Sequence, residues 1–447
     1  MNILLINPPQ NTKYPQPPLG LLSIATILDK IGYGVKILDA NVDVVDINRI
    51  TKPDIIGMTA MSPAIYNAIQ LLQKLNKNDK TKDAIKVLGG PHATILPKET
   101  LEKTDFDIVV MGEGERTIIE LVNSIESHGK LKNVRGIAFK ESGRVIINKS
   151  QEIIEDLDSL PMLDYNIIDF KKYRPYPPHG RKLPFMPLIT SRGCPYHCIY
   201  CTKIFTKYRC MSVNRIIEEV KILKERGIKE IMFYDDSFTL DKKHILDLCS
   251  KFVEEKIKLP WSCETRVNLI DEELLKTMKG AGCYLISYGV ESGDEDILKI
   301  LKKNVTLEQI KNAFALTKKC NIKTVAYLML GCPHETKETI KKTISFPREI
   351  GADFAQFSIC TPFPGTELYN IASKSGFKFD WANSSYANLN SQLNPNLNED
   401  LRQAVKKAYK EFYLRKDFIF SALSSFKSFD DAKIYLNGFR MLLNLIK

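Results

Sequence analysis

The first 193 of the 447 residues contain no cysteine; all ten cysteines fall at or after Cys194. A disulfide framework spanning the chain is thereby excluded, and the thiols are read as free groups or metal ligands. No apolar run approaches the roughly 20 residues that a membrane-spanning helix needs. The strand-like run Asn2 to Ile6 begins too early to leave room for a signal peptide, so a cytoplasmic location is expected. Apolar residues make up 44% of the chain, ample for packed cores, and disorder is not expected. The length suggests about three domain-sized units of roughly 150 residues.

Lys and Arg (64) outnumber Asp and Glu (53), for a net charge of +11. The excess lies on lysines scattered along helix-like faces, such as Lys302, Lys303, Lys311, Lys318 and Lys319, which read as solvated surface. No nucleic-acid partner is expected.

From Asn2 onward short apolar runs alternate with amphipathic ones: NILLINPP, PLGLLSIATILDKIG, VKILDAN, DIIGMTA, AIYNAIQLLQKLNK, IKVLGGP, DIVVMGEGE and TIIELVNSIESHG. Buried strands of about five residues trading places with helices specify a doubly wound, Rossmann-like parallel sheet over residues 1–150. Ligands of such sheets bind beyond the carboxyl ends of the strands. Those ends are Asn7 to Pro9, Asp39 to Asn41, Thr59 to Pro63, Gly89 to His92 and Gly112 to Glu115, rich in Gly, Pro and small polar residues. A large flat ligand lying on backbone needs such segments, and ordinary strand-to-helix turns use them too.

Residues 151–186 mix acidic and apolar residues, with prolines at 175, 177, 178 and 184, and read as a linker. Alternation then resumes over 187–376 with six strand-like runs: PLIT, EIMFYDD, WSCETR, YLISYGVESG, TVAYLMLG and FAQFSICTPFP. An eight-fold barrel needs about 250 residues, so these predict a partial (β/α)6 barrel of the TIM type with its active face at the strands' carboxyl ends. Residues 377–447 read as a helical carboxyl-terminal region; its last stretch, KIYLNGFRMLLNLIK, is basic and apolar, suited to docking on the barrel or to peripheral membrane contact.

The chemistry concentrates in Cys194, Cys198 and Cys201, a CxxxCxxC loop directly after PLIT. Three thiolates within eight residues suit one face of a 4Fe-4S cube, leaving one iron open for a small molecule. Zinc with His197, and closure of the cube by Cys210, are the alternatives. The remaining cysteines read as core thiols, with Cys332 and Cys360 close enough to strand ends to donate hydrogen.

This loop resembles that of the radical S-adenosylmethionine (SAM) superfamily. The resemblance implies that SAM chelates the open iron and is cleaved to a 5'-deoxyadenosyl radical, with Tyr200 beside the adenine. It implies further SAM contacts at later strand ends: Tyr234, Asp235 and Asp236 at the methionine amine, in place of the usual Gly-Gly-Glu; Glu264 with Arg266, the latter on the carboxylate; and Glu291 with Ser292 at the ribose. The amino-terminal segments NPP, PPLGLLSIATIL, GMTAMSP, LGGPHAT and MGEGERT resemble the cobalamin-binding domain of the superfamily class that holds anaerobic Mg-protoporphyrin cyclase and radical carbon methylases. By that likeness Pro8, Thr59, Met61, Ser62, Gly89, Gly90, His92, Gly112, Glu113 and Gly114 surround cobalamin. Methionine-synthase-like domains place a DxHxxG loop after their first strand; here that stretch is Asn7 to Asn11 without His, which implies a cobalt lacking a protein His on its lower face. Methylthiotransferases of this class carry three amino-terminal cysteines for a second cluster, and none are present.

The expected activity is cobalamin-dependent radical methylation of an unactivated carbon. A radical cyclase, rearrangement or oxidation enzyme using the same cofactors, and a non-catalytic cobalamin- or metal-binding module, are the alternatives. The expected partners are a reductant such as flavodoxin or ferredoxin and an organic substrate. The segment Thr361 to Tyr369 is expected to close the barrel on the substrate side.

Overall fold

A computed structural model describes the chain except residues 11, 13, 176–178, 181, 375, 382–392, 394–399, 417 and 420–447. It divides into two compact units. The first comprises Met1–Tyr173, Phe363–Gly365 and Lys378–Ser385; the second comprises Arg174–Pro362, Thr366–Phe377 and Tyr386–Lys447. Among the described residues no helix is long and apolar enough to cross a membrane.

The first unit is built on a seven-stranded sheet. Its strands are β1 (Asn2–Asn7), β2 (Gly34–Asp39), β3 (Ile55–Thr59), β4 (Ile85–Gly89), β5 (Ile108–Val110), β6 (Ile137–Glu141) and β7 (Arg144–Ile147), in the order β2-β1-β3-β4-β5-β6-β7. Helices α1 (Leu19–Lys30), α2 (Ile65–Asn76), α3 (Pro91–Ile95) and α4 (Pro97–Lys103) lie between the parallel strands β1 to β5, and α5 (Gly114–Glu126) leads from β5 to β6. Successive side chains of β1 serve opposite faces, as a strand buried on both sides requires. Ile3 and Leu5 join one core with Leu21, Ala25 and Leu121, and Ile6 joins the other with Ile65, Leu72 and Leu88. The order reverses between β1 and β3, and Asn7 to Pro9 and Thr59 to Ser62 flank this switch point, where sheets of this kind bind ligands.

Strands β6 and β7 are antiparallel and extend the otherwise parallel sheet as a hairpin. The turn uses Ser142 and Gly143, both at positive φ, the backbone that matches the twist of paired strands. The stretch after it, read from sequence as connector, is largely packed: Ile154, Leu157, Tyr165, Ile168 and Tyr173 are buried. The Tyr173 hydroxyl donates to Asp39 at 2.9 Å at the end of β2.

The second unit holds the six parallel strands expected, β8 (Phe185–Leu188), β11 (Glu230–Phe233), β12 (Trp261–Thr265), β13 (Cys283–Glu291), β14 (Lys323–Leu330) and β15 (Phe354–Ile359), with the short pair β9 (Ser191–Arg192) and β10 (Arg209–Cys210) between the first two. Helices α6 (Val213–Glu225), α7 (Lys242–Glu254), α8 (Glu272–Gly280), α9 (Glu295–Ile300), α10 (Leu307–Lys319), α11 (Lys337–Glu349) and α12 (Glu367–Lys374) follow the strands. The sheet order is linear, β15-β14-β13-β12-β11-β8, so the barrel is open. Helix α13 (Leu401–Tyr413) covers the β15 edge. Tyr409 and Tyr413 take up its free backbone groups: Phe357 N–H donates to Tyr409 Oη at 3.2 Å, and Tyr413 Oη bonds Ala355 N–H at 3.0 Å and C=O at 2.7 Å. The helical tail expected after residue 377 is thus seen at α13, while KIYLNGFRMLLNLIK lies outside the described residues.

Candidate active site

The cysteine loop leaves β8 and is held from both ends. The buried Asp235 carboxylate, just past β11, accepts from Thr190 N–H (2.8 Å) and Oγ1 (3.0 Å), from Ser191 Oγ (2.7 Å), and from Ser191 N–H. Burial still lifts it to about 6 against these donors. Strands β9 and β10 close the loop by pairing Ser191 with Cys210 and Arg192 with Arg209. Within it, Cys194 N–H donates to Phe205 C=O at 3.3 Å, and Gly193, at φ +90°, passes so close to the Lys207 carbonyl that any Cβ would collide. Position 193 demands glycine. Ile199 ties the middle of the loop to Leu301 (3.1 Å) and Leu368 (2.8 Å).

Cys198 is buried, Cys194 half-buried and Cys201 exposed. Desolvation, with the Asp236 carboxylate and the neighbouring thiols adding, pushes the Cys201 thiol up to about 11; burial pushes Cys194 up as well. Taking up iron therefore releases protons from thiols that are neutral in the bare chain. Among the described residues no three His, Cys, Asp or Glu side chains converge as on a single ion. Thiolates of a cube do not converge in that way, since each holds a different iron. The donor set fits a cluster: three thiols on one rigid loop, with Arg266 Nη1 3.6 Å from Cys198 Sγ. His197 is exposed, and Cys210 sits in the closing ladder with the Tyr208 hydroxyl bonded to it.

Around the loop the barrel gathers charged groups of both signs. Glu264, at the end of β12, accepts from Tyr327 Oη at 2.9 Å, and burial, with Asp236 adding, raises its carboxyl to about 7. Asp236 accepts from Gly193 N–H and is also raised, by desolvation. Arg266 stacks on Tyr196, 3.7 Å from guanidinium carbon to ring centroid, and donates to Asn268 (3.2 Å) and to the Lys303 carbonyl. Glu291 occupies a left-handed conformation (φ +69°) where the β13–β14 register shifts, and its carboxylate meets Lys303 Nζ at 2.7 Å in a buried ion pair. Such a bulge re-aims a side chain at a site. Lys303 Nζ also reaches Tyr200 Oη at 3.3 Å. A Cβ on Gly289 would stand 2.5 Å from Glu291 Oε1 and 2.6 Å from Lys303 Nζ, so a side chain there would have to displace the pair.

Lys303 corrects the sequence reading. It is not on a solvated helical face but 5% exposed, in the connection between α9 and α10. The signal was present in the sequence: Thr306 and Gln309 form the capping box that starts α10, placing residues 302–305 outside any helix. Two SAM-contact expectations acquire different geometry. Asp235 gives its carboxylate to Thr190 and Ser191, and buried Ser292 bonds Thr343 Oγ1 (3.1 Å) and Asp294 N–H (3.2 Å). Tyr200, Asp236, Glu264, Arg266 and Glu291 stand around the loop, and Tyr234 is exposed at its strand end.

In the first unit, the ends of β1, β3, β4 and β5 bring together Pro8, Thr59, Met61, Ser62, Gly89, Gly90, His92 and Gly112. A Cβ at Gly89 would have one neighbour, a backbone oxygen at 3.9 Å, and at Gly112 none within 4 Å: bare backbone faces open space, as a flat corrin requires. Gly90 packs too tightly on Thr59 and Ala60 for any side chain. Met61 is exposed at the crevice. His92 is fully buried, its Nδ1 3.1 Å from Ser62 Oγ and its ring edge-on to Trp381 at 4.6 Å; burial holds it down at about 4, so it is neutral. Two of the residues expected at cobalamin also serve the fold. Buried Glu113 accepts from Ile154 N–H at 2.7 Å, and Gly114 lets α5 approach Ile24 of α1, where a Cβ would lie 3.1 Å away.

The chain matches the radical SAM superfamily over residues 188–346 and the B12 binding domain over residues 10–122. It is 36% identical over 400 residues to a Pyrococcus horikoshii protein named as an uncharacterized methyltransferase, covering 85% of each chain. It is 29% identical to the anaerobic magnesium-protoporphyrin IX monomethyl ester cyclase of Cereibacter sphaeroides, covering 83% of this chain and 62% of the cyclase. Among solved structures, the cobalamin-dependent SAM radical enzyme OxsB with aqua-cobalamin bound superposes with a TM-score of 0.74 at 18% identity, over 100% of this chain and 72% of that one, which establishes a shared fold. With a cysteine loop suited to a 4Fe-4S cluster and SAM on one unit and a bare-backbone crevice suited to cobalamin on the other, the chain belongs to the radical SAM superfamily, in the class of enzymes that carry a B12-binding domain.

Proposed function

We propose that the protein is a cobalamin-dependent radical methyltransferase that places a methyl group on an unactivated carbon of an organic substrate. The observation that carries this is the pairing, in one chain, of the open-ended cysteine loop with a B12-binding unit whose strand ends offer bare backbone. When bound, the cluster and SAM supply a 5'-deoxyadenosyl radical, and cobalamin relays a methyl group. Cys194, Cys198 and Cys201 hold the cluster, and Asp235 and Gly193 fix the loop that presents them. Glu264 and Asp236 receive the methionine ammonium, and Arg266 with Lys303 faces the carboxylate. Tyr200 and Glu291 lie on the nucleoside side. Met61 would lie beside cobalamin, the first-strand loop would supply no His to it, and His92 would orient Ser62 through its Nδ1 rather than ligate. A cytoplasmic setting with flavodoxin or ferredoxin as reductant accompanies this reading.

The similarity to the cyclase favours one second reading, ring closure or oxidation without methyl transfer. Product mass after anaerobic turnover with trideuteromethyl SAM separates the two: incorporation of the labelled methyl supports methylation, and loss of hydrogens without label supports cyclisation. Replacing any one of the three loop cysteines with Ala abolishes the visible cluster absorbance and 5'-deoxyadenosine formation. Retained deoxyadenosine in such a variant would sink the assignment, and a wild-type protein unable to cleave SAM reductively is a binding module.

A further inference from the structure

Arg266 is 6% exposed, and among the described residues no carboxylate pairs with it. Neutral groups alone hold its charge. Nε donates to Asn268 Oδ1 at 3.2 Å, Nη2 donates to the Lys303 carbonyl, Nη1 lies 3.6 Å from Cys198 Sγ, and the Tyr196 ring centroid is 3.7 Å from the guanidinium carbon. The carboxylates around the loop are engaged elsewhere: Glu291 by Lys303 at 2.7 Å, Glu264 by the Tyr327 hydroxyl at 2.9 Å, and Asp236 by Gly193 N–H. A buried cation in this state is unfavourable until an opposite charge joins it. The neighbouring sulfur feels the same group: burial pushes the Cys194 thiol up, and a bond from Tyr196 N–H and the charge of Arg266 act against that push.

We propose that Arg266 is the counter-charge of the cluster itself and, through its contact with Cys198, raises the potential at which the cluster accepts an electron. The proposal rests on the reading of Cys194, Cys198 and Cys201 as cluster ligands. It is distinct from the contact with the SAM carboxylate, because Nη1 and Nη2 each carry a second N–H for that purpose. A 4Fe-4S core held by three thiolates carries one net negative charge when oxidised and a second when reduced. Net charge and hydrogen bonds to the sulfurs set such potentials, and a fixed cation on a cluster sulfur favours the more negative state. In the step concerned the oxidised cluster takes one electron from an external donor, dithionite in the test below; no bond is made or broken and no proton moves.

The test is a redox titration of the reconstituted holoprotein without SAM, poised with dithionite and mediators and read from the low-temperature paramagnetic signal of the reduced cluster. Wild type is compared with Arg266→Gln, which removes the charge, with Arg266→Lys, which keeps it, and with Lys311→Gln, which removes one exposed charge from α10. Arg266→Gln is expected to lower the equilibrium constant for one-electron reduction about tenfold, a midpoint about 59 mV more negative. Arg266→Lys loses less than half of that, and Lys311→Gln, screened by solvent, stays within about twofold of wild type. An unchanged midpoint in Arg266→Gln overturns the proposal, as does a shift that appears only once SAM is added, which would make the arginine act through the SAM carboxylate. An Arg266→Lys midpoint as low as that of Arg266→Gln overturns it too, placing the effect in packing rather than charge. So does loss of cluster absorbance from both Arg266 variants, which would make the arginine a requirement for assembly. A wild-type protein with no reducible cluster absorbance overturns the ligand assignment beneath it, a separate and recognisable failure.

Discussion

Replacing Lys303 with Met tests whether the Glu291 ion pair organises the active face. The two charges lie 2.7 Å apart with 6% and 10% of their side chains exposed, so removing the ammonium strands a carboxylate that water cannot reach. Breaking a buried pair in this way costs about 3–5 kcal/mol, because the remaining charge loses its compensation while keeping its desolvation penalty. In a unit of this size that corresponds to a fall in Tm on the order of 10 °C. Glu291→Gln in the Lys303→Met background removes the stranded charge and is expected to restore most of the loss. Differential scanning calorimetry of the four proteins in the cycle gives the coupling directly. If Lys303→Met costs under about 1 kcal/mol, the range of an exposed pair, the lysine is at the surface and the described site is wrong. If the double variant is no better than the single, the cost is lost packing rather than an uncompensated charge.

Gly289→Ala is expected to displace the same pair by collision and to weaken SAM binding in calorimetric titration; unchanged affinity would show that the pair is not part of the site. Glu335, just beyond β14, is buried, its Oε1 has no partner among the described residues, and burial raises its carboxyl from 4.5 to about 7. Its neutral form is the favoured one in the fold, so its contribution is full below pH 4.5 and is lost as pH rises to about 7. Glu335→Gln should flatten denaturant stability across that window, and an unaltered pH profile would contradict the assignment. With cobalamin bound and reduced to the cobalt(II) state, electron paramagnetic spectra should show no nitrogen splitting from a protein His, since His92 is fully buried with its Nδ1 bonded to Ser62. Splitting that vanishes in His92→Ala would reverse that reading.

What the sequence revealed and concealed follows from range of interaction. The cysteine loop and the strand-helix alternation are local patterns, and both units follow from them. Asp235 was visible as a strand-end carboxylate, but its four donors come from residues 44 and 45 positions away, so only the fold shows that it holds the loop. Ser292 and Glu113 were visible for the same reason and are likewise consumed by partners remote in sequence. The β6–β7 hairpin turns on Ser142 and Gly143, a pair without the usual Asn-Gly signature, and its strands belong to a different pairing class from their neighbours. Lys303 was hidden by company: in a lysine-rich stretch a buried cation looks like its exposed neighbour Lys302.

Tyr409 and Tyr413 have a consequence for the protein's solubility. An open barrel ends in a strand whose amides and carbonyls invite a foreign strand to add on. Here two phenols from a single helix quench that invitation at Ala355 and Phe357 without a seventh strand being needed. Replacing both with Phe would preserve the packing yet unmask the row of polar groups and leave the β15 edge prone to edge-to-edge self-association.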